Sequence, residues 1–96
     1  MLHPNFTPRF NRDVKRLSKK HIDFAPLDEV MKLIVDNTEA TNRVLRQRHN
    51  KHLLKGEWEG SYECHVANAR DWLLIWMETD ELAVFERTGT HDDLFD

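Results

Sequence analysis

Apolar residues recur at helical intervals through the first third of the chain and change to a period of two after Trp58. Phe10, Val14, Leu17 and His21 stand three or four apart among Arg9, Arg12, Lys15, Arg16, Lys19 and Lys20. That spacing predicts an amphipathic helix over residues 9–20, with a narrow apolar stripe and a basic outer face. Leu27, Val30, Met31, Ile34 and Val35 follow the i, i+3, i+4, i+7, i+8 pattern of a second helix. Pro26 suits its first turn, Asp28 and Glu29 favour the positive end of its dipole, and it ends near Asn37. Residues 39–50 are polar and basic around the apolar pair Val44 and Leu45, which predicts a loop or a short helix.

Strand patterns follow. Tyr62, Cys64 and Val66 alternate with Glu63, His65 and Ala67. Asp71 to Met77 (DWLLIWM) is a continuous apolar run of the kind a central strand carries, and residues 81–87 (ELAVFER) form a third strand after a hairpin turn at Thr79-Asp80. With a strand-like Asn5-Phe6-Thr7 at the start, the order is β-α-α-β-β-β. An α+β fold is expected, with two helices packed on one face of a small antiparallel sheet.

Length changes the picture only by limiting it: 96 residues support one domain, 1–96. The N-terminal stretch MLHPNFTPRFNRD lacks the apolar core and cleavage site of a secretory signal, and a lone cysteine, Cys64, cannot form an internal disulfide. A soluble cytoplasmic protein is expected, with no membrane partner. Charge adds more. The net charge of −3 argues weakly against nucleic acid, but residues 1–56 carry 12 Lys and Arg against 6 Asp and Glu, whereas residues 57–96 carry 2 against 11. A half at +6 that also holds four of the six histidines can meet a polyanion. The half at −9 must then face away from it or be locally neutralised. Charge alone does not separate this from a solvated basic helix.

Candidate chemistry is thin residue by residue. Strand alternation puts Cys64 and His65 on opposite faces, so the pair cannot share a metal ion, and no metal or other cofactor is expected. Cys64 reads as a small buried hydrophobe, and Trp58, Trp72 and Trp76 read as core. His49 and His52 would share a face if their segment were helical.

The order of motifs is more telling. HLLKGEWEGSYECH, DWLLIW and FERTGTHDDLF occur in that sequence, preceded by FNRDVKRLSKK. Together they resemble the YafQ branch of the RelE superfamily, the toxins of bacterial type II toxin-antitoxin pairs, over nearly the whole chain. The resemblance implies a RelE-like fold and an endoribonuclease that cuts messenger RNA in the A site of the small ribosomal subunit, beside rRNA. It also implies action without a metal and inhibition by a cognate antitoxin, through which alone operator DNA is met. The family's catalytic positions fall on His52, His65, Asp71 and His91. Substrate-binding positions fall on Arg87, Trp72 and Phe95. Cleavage by ribose 2′-hydroxyl attack needs a base, an acid for the departing 5′-oxygen and donors to the phosphate. His91 is assigned as acid, His52 or Asp71 as base, and His65 with Arg87 as phosphate ligands; Phe95 either stacks on a base or anchors the last turn. Gly89 is expected to turn the chain so that His91 and Phe95 lie over the sheet face of His65. Two departures stand out: VANAR between His65 and Asp71 is two residues longer than the family pattern, and the C-terminal half is acidic. They motivate an alternative, a catalytically weak member that acts mainly as antitoxin-binding partner and co-repressor.

Overall fold

The computed structural model describes residues 1–66 and 71–95. Strand β1 (His3–Phe6) leads into α1 (Pro8–Ser18), α2 (Ala25–Asp36) and α3 (Glu39–His49). A two-residue β2 (His52–Leu53) and a 3₁₀ turn (Gly56–Trp58) precede β3 (Tyr62–His65), β4 (Leu73–Glu78), β5 (Leu82–Gly89) and a terminal α4 (His91–Phe95). The five strands form one sheet in the order β1-β5-β4-β3-β2.

The α+β class and the two predicted helices are observed, and three details differ from expectation. The sheet is mixed, because β1 joins the edge of β5 in parallel, Phe6 opposite Phe85. Residues 39–50 hold a full helix of 11 residues that buries only Leu45. Its apolar signal is therefore weak, and its start is fixed instead by a capping box in which Thr38 and Thr41 satisfy each other's backbone N–H. Asn37 and Asn50, both at positive φ, close α2 and α3. Third, β2 and α4 are short elements, of two and five residues, that periodicity cannot reveal.

Sequence alternation sorts the sheet into two faces. Phe10, Leu27, Val30, Ile34 and Leu45 from the first three helices cover one face, packing on Cys64, Leu74, Trp76 and Phe85. Each large side chain buried there contributes about 1.5 to 3 kcal/mol of apolar transfer. On the other face Leu73 and Ile75 carry a smaller cluster with Leu94 of α4, flanked by Leu54 and Trp58. Beside that cluster Met77 is exposed. Thr79 closes the β4–β5 hairpin by accepting from Leu82 N–H and donating its own N–H to Leu82, as expected for a turn there.

Candidate functional site

Two residues at the start of α1 and two at the end of β5 build the frame of the site. Thr7 caps α1, accepting from Phe10 N–H at 3.0 Å while its hydroxyl donates to the Glu86 carbonyl at 2.9 Å. One turn later Asp13, on the same stripe as Phe10 and Leu17, is fully buried. Its carboxylate accepts from Arg87 Nε (2.7 Å) and Nη2 (3.0 Å), from Arg16 Nη1 (2.9 Å) and from Thr88 N–H (3.1 Å). Burial alone would raise its pKa, but the hydrogen bonds from Arg87, Arg16 and Thr88 prevail and hold the carboxyl below its ordinary range.

The terminal helix is placed by a second set of contacts. Thr90 and Asp93 cap it reciprocally, each accepting from the other's N–H at 3.0–3.1 Å. Thr90's hydrogen bonds, with Arg16 and Lys20 nearby, hold Asp93 below the ordinary carboxylate range. Arg16 also reaches Asp93 Oδ2 at 3.4 Å, so this acidic residue beside His91 is matched by a cation. Asp71 accepts from His91 N–H at 2.8 Å. Gly89 suits a backbone at φ 154°, which other residues rarely adopt, and a Cβ there would press on Arg16 Nη2 at 2.9 Å and Asp93 Oδ2 at 3.0 Å.

These contacts put the predicted residues in distinct situations. His91 and Asp71 adjoin at the rim of the open face, and His65 stands on that face, its cross-strand partner Leu73 lying under Leu94. Phe95 packs against His91 with ring centroids 4.9 Å apart and is 37% exposed. Its terminal-turn contact and its exposed ring coexist. His52 lies in the same cross-sheet row as Glu63, Ile75 and Arg87. Its Nδ1 donates to the Asn50 carbonyl at 2.7 Å, and its Nε2 is 3.3 Å from Glu63 Oε1.

Arg87 and Trp72 are disposed differently from what substrate binding suggests. Arg87 is 8% exposed and commits Nε and Nη2 to Asp13. The Trp72 ring packs on the helix-covered core beside Phe24, and Nε1 donates to Thr88 Oγ1 at 2.9 Å. Both tie β4 and β5 to the helices. The extra residues between His65 and Asp71 fall mostly at 67–70, outside the described residues.

Three further side chains support the site, two of them, Asp13 and Lys51, passed over in the sequence reading. Asp13 was hidden by its basic neighbours, although its position on the apolar stripe is a legible signal. His49 and His52 do not share a helical face: His49 ends α3 and donates from Nδ1 to the His65 carbonyl at 2.9 Å, fixing β3. Lys51, nearly buried over the rings of Tyr62 and Trp76, donates to Asn42 and contacts Glu78, anchoring the residue before His52. Cys64 is fully buried, and that burial pushes its thiol up to about 12.

Beside Phe95 the open face continues into a groove of about 780 Å³ that combines Arg9 and Lys55 with Glu57, Glu59 and Glu86. Basic and acidic groups are thus mixed there, with Trp58 as a second aromatic wall. Among the acids of the C-terminal half, Glu63, Glu78 and Asp93 each face a histidine, lysine or arginine within 3.4 Å.

A model of the bacterial YafQ toxins of type II toxin-antitoxin systems matches residues 2–96. The mRNA interferase toxin YafQ of Escherichia coli K12 is 39% identical over 90 residues, 94% of this chain and 91% of that protein. The crystal structure of YafQ from E. coli BL21(DE3) superposes with a TM-score of 0.84 at 35% identity, over the full length of both chains. YafQ in the E. coli DinJ-YafQ toxin-antitoxin complex gives a TM-score of 0.81 at 37% identity, over 99% of this chain and 98% of that one.

Proposed function

This chain belongs to the YafQ family of bacterial type II toxins, and on that premise we propose that it is an endoribonuclease cleaving messenger RNA on the ribosome. The observation that carries the reading is the meeting of the His91 backbone with the Asp71 carboxylate at the end of the β4–β5 ladder, beside the sheet face on which His65 stands. Cleavage proceeds without a metal. The ribose 2′-hydroxyl gives its proton to a base, its oxygen attacks the adjacent phosphorus, and the P–O5′ bond breaks as His91 protonates the departing oxygen. His52 and Asp71 are the two groups on this face suited to the base. His65 faces the phosphate, and Phe95 offers an exposed ring on which a base can stack, worth about 1 to 3 kcal/mol. Arg87 and Trp72 serve by holding β4 and β5 in register with α1.

The partner that silences the toxin is a cognate antitoxin, in keeping with the E. coli relative crystallised with DinJ. Operator DNA is met only through that antitoxin, and the protein works in the cytoplasm; among the described residues no helix is long and apolar enough to cross a membrane. The His91–Asp71 contact favours catalysis over the reading of a co-repressor without activity. The test is primer extension on a defined message with purified protein. Cuts that need ribosomes support the reading, and a folded protein that leaves the message intact on translating ribosomes refutes it.

A further inference from the structure

We propose that Asp93 is a positioning residue for His91, holding the first turn of α4 to α1 through Arg16. The inference rests on the reading of His91 as the general acid given above. Helix α4 has five residues and buries one side chain, Leu94. A helix that short is not stable by itself, so the contacts of its first turn set the place of His91. Three backbone N–H groups are held there. His91 N–H donates to Asp71 at 2.8 Å, Thr90 N–H donates to Asp93 Oδ2 at 3.0 Å, and Asp93 N–H donates to the Thr90 hydroxyl at 3.1 Å.

By itself the Thr90–Asp93 pair only closes this turn on itself. Arg16 connects it to the rest of the molecule. Its Nη1 donates to Asp13 Oδ1 at 2.9 Å, and its Nη2 donates to Asp93 Oδ2 at 3.4 Å and to the Thr88 carbonyl at 3.5 Å. One guanidinium thus spans α1, the end of β5 and α4. Asp13 accepts in turn from Arg87 and from Thr88 N–H, so the series of contacts ends in a buried carboxylate fixed from several sides. The Arg16–Asp93 pair lies against Gly89, in space that any Cβ there would take. Arg16 is not docked for a full set of its own hydrogen bonds: Nε is buried without a partner among the described residues, while both Nη groups meet carboxylates.

Magnitudes separate placement from stability. The Arg16 and Asp93 side chains are 38% and 29% exposed and their contact is long, so the ion pair adds little to folding. A catalytic group is far more sensitive, because a misplacement of about 1 Å can cost about 10²-fold in rate. Loss of the pair should therefore appear in cleavage and hardly in unfolding.

The test compares Asp93→Ala with wild type on programmed ribosomes. Its single-turnover rate at saturating ribosomes is expected to fall by about 10- to 100-fold, with the half-saturating ribosome concentration unchanged and thermal unfolding lowered by only a few degrees. Asp93→Asn keeps an acceptor for the Thr90 N–H but loses the charge that Arg16 meets, so its rate should fall between the two. It also replaces Asp93→Ala if that variant does not fold. Amide hydrogen exchange reads the placement independently of activity: the His91 N–H should exchange faster in either variant. A wild-type rate in either folded variant overturns the proposal, as does a loss confined to ribosome association or an unchanged exchange rate at His91. If His91→Ala cleaves like wild type, the reading of His91 as the acid fails, and amide exchange alone then decides whether Asp93 fixes the first turn of α4.

Discussion

Asp71 and His91 are joined by a hydrogen bond of 2.8 Å across 20 residues of chain, from the backbone N–H that opens α4 to the carboxylate just before β4. The strand register dictates their meeting. Leu73 pairs with Gly89 at the end of the antiparallel β4–β5 ladder, so the residue two before Leu73 arrives beside the residue two after Gly89. The sheet thus brings a candidate base to a candidate acid without help from either side chain's own element.

Gly89→Ala should disturb the site more than the fold. The added Cβ would press on Asp93 and Arg16, the pair that fixes the start of α4. Cleavage is expected to fall by roughly tenfold or more, as for a misplaced catalytic group, while thermal unfolding moves by a few degrees. Wild-type cleavage by this variant would show that α4 tolerates the shift.

Asp13→Asn is expected to lose about 3 to 5 kcal/mol at pH 7, because Arg87 is left buried with its charge uncompensated. The sign with pH is fixed by the lowered carboxyl. Its stabilisation is fully present above the ordinary carboxylate range, about pH 4, and is lost as pH falls through the still lower folded-state value. Denaturant titrations should therefore show the gap between wild type and variant closing in acid; a constant gap would mean that the ionised carboxylate is not what matters.

Cys64 should resist thiol reagents in the native state at neutral pH, since the thiolate is the reactive form and burial pushes the thiol up to about 12. Labelling should appear only with unfolding. Rapid labelling of the folded protein would show that β3 opens locally.

Reversing Arg12 and Lys15 to glutamate probes the basic face of α1. Both are exposed, whereas Arg16 is committed to Asp13 and Asp93 and its loss would confound binding with folding. Ribosome or antitoxin association should weaken most at low salt, and for RNA the logarithmic salt slope should shrink by about 2. An unaltered slope would make this face a solvated surface only.

How much of this was legible depends on what each element uses for stability. Helices α1 and α2 and strands β3 to β5 bury regular stripes, so Phe10, Leu27, Val30, Cys64 and Leu74 announce them. Helix α3 rests on a threonine capping box and one buried leucine, and β2 on two ladder pairs, which hydrophobic period does not register. The candidate histidines were singled out through the motif FERTGTHDDLF and its partners. Their supporting contacts were not, because Asp13, His49 and Lys51 act through contacts set by register and by helix docking. Arg87 and Trp72 show the converse. Motif position suggested contact with substrate, and tertiary packing turned both toward the interior.

The most direct measurement of the central claim is the single-turnover rate of message cleavage on programmed ribosomes by wild type, His91→Ala and Asp71→Asn, each shown to be folded. The His91→Ala rate should fall by at least about 10² to 10⁴, the range of a lost general acid, with ribosome binding retained. Wild-type cleavage by folded His91→Ala would contradict the account.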